Sequence, residues 1–191
     1  MPGTSGNISM RLPDAPSRAL ITASGRDKGA LTARDVVEVD AFNGRASLPD
    51  QDLPSAETSI HAAVYRVTGA RAVLHVHSPY ATVVAHRAAV VDAVASVRVE
   101  RFELLKGLAL KDPTCTDLPV FPNWAQVDRI ADDVAAHLSV GRDGPPGLLL
   151  ADHGITTWGD SLRQAKNRLE CLEALCQLLV ISQSELQVAH S

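Results

Sequence analysis

Ala72-Val73-Leu74-His75-Val76-His77-Ser78 sets β-branched residues and a leucine ahead of a Ser78-Pro79 break, the pattern of a short buried strand. Successive strand residues alternate faces, so His75 and His77 point the same way with Cα atoms about 6.6 Å apart. Two imidazoles at that spacing can converge on one ion at about 2.0–2.1 Å each, provided a third ligand closes the angle. Taken alone, a His-x-His pair says little about a metal. A third histidine comes from far down the chain. Gly147-Leu148-Leu149-Leu150-Ala151 reads as another apolar strand and runs into Asp152-His153-Gly154. A histidine at a strand end, followed by a glycine that lets the backbone turn, stands where open sheets place ligands. Three histidines without an obvious fourth ligand describe a catalytic zinc-type site with open coordination rather than a closed structural one.

The bounds around that strand are ordinary. At 191 residues, with 46% hydrophobic and 21% charged side chains, the chain suits one compact domain with a proper core. A net charge of −4 and scattered Lys and Arg supply no basic face for nucleic acid and no polybasic membrane patch. No apolar run approaches the roughly 20 residues a bilayer needs, and no signal peptide opens the chain. The three cysteines, Cys115, Cys171 and Cys176, have no framework spacing, which suggests reduced thiols in the cytoplasm. Cys171 and Cys176 read as buried apolar filler.

Outward from the central strand, Ile8–Leu12 alternates as a strand and Ala19–Thr22 pairs with it as a hairpin, ended by Ala23-Ser24-Gly25. A helical turn over 31–35 precedes a strand over 36–40, and Asn43-Gly44 marks a tight turn. Ser55 reads as the N-cap of a helix carrying Ile60, Ala63, Val64 and Val67 and ended by Gly69. Beyond it come a helix over 80–87, a short strand at 97–99 and extended chain over 119–122. Asn123 reads as the cap of a helix to about His137. The strand before His153 returns as a hairpin over 155–158. The last helix starts at Asp160-Ser161 and carries a stripe of Leu162, Ala165, Leu169, Leu172, Leu175 and Leu179. Strands and helices mixed without strict alternation predict an α/β or α+β sandwich.

Three hydroxyl- and glycine-bearing turns accompany the histidines: Thr4-Ser5-Gly6-Asn7, Ala23-Ser24-Gly25 and Pro54-Ser55. Short hydroxyls, free N–H groups and a helix N-terminus suit a phosphate or carboxylate, although each turn taken singly is ordinary turn or cap chemistry. Two carboxylates are candidate proton carriers. Glu57 lies in a first helical turn, where its charge also favours the dipole, and His61 one turn on could share its face. Glu103 is flanked by Phe102, Leu104 and Leu105; apolar surroundings would raise its pKa toward the range of an acid–base catalyst. The other reading of Glu103 is a surface residue paired with Lys106 or Arg101.

Five ordered motifs, Thr4–Ser9, Ile21–Gly25, Pro54–Glu57, His75–Ser78 and His153-Gly154, resemble the class II aldolase/adducin family over nearly the whole chain. Segments 24–29, 102–107 and 120–123 are most similar to its dehydratase branch, which serves methionine salvage. The resemblance implies a three-layer α/β/α sandwich with a mixed central sheet and helices on both faces, one domain over residues 1–191. It implies a homotetramer with the site near a subunit interface and one Zn2+ per subunit on His75, His77 and His153. The implied substrate is a phosphorylated ketose, with Glu103 as acid/base and Glu57 as the second candidate. Ser5, Gly6, Asn7, Ser24, Gly25, Lys28, Ser55 and Lys106 match the substrate and phosphate positions. Family members carry a helix ahead of the Thr-Ser-Gly-Asn loop, where this chain begins, so a shortened start is expected. Ala56 stands where the aldolases commonly have serine. An aldolase or epimerase using Glu57, and a non-enzymatic adducin-like scaffold, are the alternatives within the resemblance.

Overall fold

The computed structural model describes residues 6–141 and 144–188, with side chains described as far as residue 182. Eight strands form one mixed sheet: β1 (Asn7–Leu12), β2 (Ala15–Thr22), β3 (Val36–Asp40), β4 (Ala72–Val76), β5 (Ala95–Glu100), β6 (Cys115–Phe121), β7 (Gly147–Leu150) and β8 (Gly154–Gly159). Their order is β3-β2-β1-β4-β8-β7-β6-β5, antiparallel except for the β6–β7 pair. Helices α1 (Thr58–Thr68) and α3 (Val127–Val140) cover one face; α2 (Pro79–Ala88), α4 (Leu162–Val188) and the 3₁₀ turn Glu103–Leu108 cover the other. The chain is therefore an α/β/α sandwich.

Every residue of β4 is buried, because helices cover both of its faces. Val73 joins the core under α1 and α3 with Ile60, Val64, Ile130, Leu148 and Trp158. Val76 joins the other core with Ile155, Leu149 and Leu172, and each such fully buried aliphatic contributes about 2 kcal/mol. Helix α2 begins with Pro79, and its next two N–H groups, on Tyr80 and Ala81, donate to the Glu173 carboxylate of α4 at 3.2 and 3.0 Å. That long-range cap satisfies donors that Ser78 leaves unpaired through its side chain.

Several boundaries differ from the sequence reading. Helix α1 starts at Thr58, not at Ser55; Glu57 is its N-cap residue, and the Ser55 carbonyl accepts from the Thr58 N–H at 3.1 Å. Helix α3 starts at Val127 after Gln126 rather than at Asn123, because Trp124 turns inward and donates to Asp133 at 2.8 Å. Strand β2 starts at Ala15, and β6 is a full seven-residue strand of which 119–121 is only the end, with Pro122 beyond it. Leu162 is exposed, while Ala165, Leu172 and Leu175 carry the α4 stripe.

Candidate metal centre

Strands β1, β4 and β8 lie side by side, and their register sets Asn7 opposite His75 and His75 opposite Thr156. His75 is 1% exposed, with Nδ1 3.0 Å from Thr156 Oγ1. In the Nδ1–H tautomer it donates to that hydroxyl, and its Nε2 lone pair is left buried without a donor. His77 stands one residue past the end of β4, and His153 lies in the tight β7–β8 connection, following Asp152 at φ 58°. Glycine at 154 lets that connection press on β4, since a Cβ there would meet Val76 O at 2.2 Å.

The three imidazoles meet. Ring centroids of His75, His77 and His153 are 4.3 to 5.1 Å apart, and the Nε2 atoms of His77 and His153 are 2.8 Å apart. Glu57 reaches in from the start of α1, with Oε1 3.0 Å from His153 Nε2 and Oε2 3.7 Å from His75 Nε2. Asn7 Nδ2 donates to the same carboxylate. One ligand atom from each of Glu57, His75, His77 and His153 lies within 4.8 Å of the others. Ligand atoms around a tetrahedral ion are about 3.3 Å apart, so this donor set fits a divalent cation. The buried, undonated His75 Nε2 is the atom that a cation would satisfy.

Charge states agree with that fit. Burial pushes His75 down to about 3, which keeps it neutral at neutral pH. Burial also lowers His77, with neighbouring His153 adding to the effect. For Glu57, burial alone would raise the carboxyl, but the His153 hydrogen bond, His75 and the Asn7 amide outweigh it and hold it at about 2. With His75 neutral, the bonds from Asn7 and His153 carry that effect. A carboxylate beside neutral imidazole is the ligand form a divalent ion requires.

Buried histidines make the metal-free fold acid-sensitive. His61 is held at about 4 by burial, against an ordinary 6.5. Above pH 6.5 both folded and unfolded chains are neutral there; below it the unfolded chain takes up the proton first, and stability falls until the folded value is reached. The expected loss from His61 is about 2 kcal/mol between about pH 8 and about pH 5, with a similar share from His75. Urea unfolding of metal-free protein across that range checks it; a flat midpoint would contradict neutral burial.

The described residues of the three predicted turns converge on the same place. Gly6, Asn7, Ser24, Gly25, Lys28 and Ser55 line one cavity of about 260 Å³, whose wall also includes Glu57 and His77. Lys28 Nζ donates to Arg26 O at 3.0 Å, and burial lowers its pKa. Ser5 lies outside the described residues. A larger cavity of about 630 Å³, at the other end of the sheet by Val67, Leu138, Trp158 and Arg168, touches none of these groups.

Glu103 and Lys106 are not brought to the cluster within the chain. The Glu103 side chain is 84% exposed, and its Oε1 accepts from Lys106 Nζ at 2.7 Å. Of the two sequence readings of Glu103, the structure matches the surface residue paired with Lys106 and not the apolar pocket: Leu105 and Leu108 turn inward from the 3₁₀ turn, while Glu103 and Lys106 point outward. His61 does not pair with the Glu57 carboxylate; its Nδ1 lies 2.7 Å from Ser9 Oγ. The sequence reading missed Thr156, because only the β4–β8 register shows that it faces His75.

The model of the family described as Class II Aldolase and Adducin N-terminal domain matches residues 1–180. The chain belongs to this class II aldolase/adducin family. Over 181 residues it is 54% identical to a "Probable bifunctional methylthioribose-1-phosphate isomerase/methylthioribulose-1-phosphate dehydratase" of Nocardia farcinica (strain IFM 10152), covering 94% of this chain but 32% of that protein. The chain thus spans about a third of that relative's length. It is 42% identical to the methylthioribulose-1-phosphate dehydratase of Methylococcus capsulatus (strain ATCC 33009 / NCIMB 11132 / Bath), covering 93% of this chain and 83% of the other. Among solved structures, L-fuculose-1-phosphate aldolase from Thermus thermophilus superimposes with a TM-score of 0.74 at 27% identity, covering 98% of this chain and 87% of that one. The α/β/α sandwich is thus the class II aldolase fold.

Proposed function

We propose that the chain is a zinc-dependent hydro-lyase of the cytoplasm that converts 5-methylthioribulose 1-phosphate to 2,3-diketo-5-methylthiopentyl 1-phosphate in methionine salvage. The observation that carries this reading is the cavity in which Gly6-Asn7, Ser24-Gly25 and Ser55 meet the Glu57–histidine cluster. Relatives bearing the dehydratase name share 54% and 42% identity with this chain, which supports the choice of substrate. His75, His77 and His153 would hold the ion, with the Glu57 carboxylate beside them; three imidazoles and a carboxylate suit zinc. A bound divalent cation supplies Lewis acidity, favouring negative charge on the ketose oxygens as a proton leaves carbon.

The remaining work falls to the chain's own residues. Ser24, Ser55, the Gly6–Asn7 backbone and the Lys28 ammonium bind and orient the phosphate. Asn7 keeps Glu57 ionised and aimed at His153. Glu103 takes the C3 proton and returns one to the C4 hydroxyl, which departs as water; the C3 enol then tautomerises to the second ketone. With its side chain 84% exposed and turned from its own cluster, Glu103 serves the site of a neighbouring copy, in a homotetramer whose sites lie near subunit interfaces.

Glu103→Gln tests this reading. Turnover of methylthioribulose phosphate should fall about 10²–10⁴-fold while bound metal stays constant. A second reading, a sugar-phosphate aldolase using Glu57, is favoured by the place of Glu57 inside the cluster. Unchanged dehydration in Glu103→Gln would remove that role from Glu103; no dehydration by the wild-type chain, together with fuculose phosphate cleavage that Glu57→Gln abolishes, would replace the first reading with the second.

A further inference from the structure

Strand β1 is joined to α1 by a polar seam of which the proposed chemistry uses only the Asn7–Glu57 end. Asn7, Ser9 and Arg11 share one face of β1, and they meet Glu57, His61 and Tyr65, spaced four apart along α1 and its cap. Asn7 donates to Glu57; Ser9 Oγ lies 2.7 Å from His61 Nδ1 and 2.6 Å from Tyr65 OH; Arg11 Nη2 donates to Tyr65 O at 3.2 Å. The repeat distances agree: two strand residues advance about 6.7 Å and four helical residues about 6 Å, so three rungs stay aligned.

Ser9, His61 and Tyr65 are at most 2% exposed, among Ile21, Val39, Ile60, Val64 and Val73. An apolar interface would avoid the desolvation of two hydroxyls and an imidazole, and here it leaves His61 Nε2 without a partner. Fully apolar packing also tolerates small slides of a helix on a sheet, whereas bonds of 2.6 and 2.7 Å to one hydroxyl admit a single register. That register matters at one end. Glu57 is the residue from which α1 starts, and Asn7 is the strand partner of His75.

We propose that Ser9, His61 and Tyr65 are positioning residues that hold α1 in the register at which Glu57 faces His75 and His153. The inference rests on the metal-centre reading above. It is tested on the full chain by titrating metal-free protein with Co2+ and recording the dissociation constant and the visible d–d band, beside the thermal midpoint. Ser9→Ala should weaken Co2+ about 10-fold and alter the band, as removal of an orienting partner does. Tyr65→Phe should act in the same direction but less. In a Glu57→Gln background Ser9→Ala should add almost nothing to the loss, because its effect passes through Glu57. A Ser9→Ala protein with lower thermal stability but the wild-type Co2+ affinity and band would overturn the inference, as would an equal loss with and without Glu57. Should Ser9→Ala fail to fold, Tyr65→Phe decides on the same readouts, and wild-type affinity and band there overturn it. A wild-type chain that takes up no Co2+ instead overturns the metal centre itself.

Discussion

His153→Ala should lose its metal and, with it, turnover by about three orders of magnitude, the size of several kcal/mol of charge stabilisation withdrawn from the reacting oxygens. The imidazole is the hinge of the cluster: its Nε2 lies 2.8 Å from His77 Nε2 and 3.0 Å from Glu57 Oε1. Without it, two imidazoles and a carboxylate remain, and Glu57 loses one of the two hydrogen bonds that hold its charge. The fold should barely register the change. The ring is 18% exposed, its Nδ1 has no partner among the described residues, and no core cluster includes it. Metal content per chain, turnover and thermal midpoint measured on one preparation check all three expectations. A variant that keeps one equivalent of metal would remove His153 from the centre.

Gly154→Ala should strike both stability and the site, and for a reason unrelated to side-chain chemistry. A Cβ at 154 would lie 2.2 Å from Val76 O and 3.0 Å from both Val76 C and His77 Cα. All three atoms are backbone of the central strand and its end, so no rotamer change relieves the overlap. Strand β8 must move off β4, breaking the Val76–Ile155 end of the ladder and parting His77 from His153. The expected cost is about 3 kcal/mol, or a fall of about 6–12 °C in the thermal midpoint, and metal affinity should fall with it. Thermal unfolding with and without added metal measures both; an unchanged midpoint would show that the two strands are less closely seated than their packing implies.

Much of this was readable in the chain because it is local. The run Ala72–Val76 has the composition of a doubly covered strand, and the alternation rule alone turns His75 and His77 to one side. The strand over 36–40, the Gly69 stop of α1 and the hairpin after His153 likewise follow from neighbouring residues. The neighbours of Glu103 leave two readings open, and only the packed structure chooses the surface pair with Lys106. Flanking Phe and Leu suggested an apolar pocket, yet in a 3₁₀ turn adjacent residues point different ways, and Leu105 took the buried side. The start of α1 is not legible locally, because a serine after proline satisfies the cap pattern, while the carbonyl of Ser55 rather than its hydroxyl accepts the Thr58 N–H.

Local pattern thus specified the strands, the paired histidines and the hydroxyl-bearing turns, since side-chain periodicity and turn chemistry act over a few residues. Which strands became neighbours was settled by burial of both sheet faces across the whole chain. That packing set Thr156 behind His75, drew Asn7 and Glu57 onto the histidines, and turned Glu103 outward. The Asn7–Glu57, His75–Thr156 and Glu57–His153 contacts join residues 50, 81 and 96 positions apart, and no repeat or spacing records them.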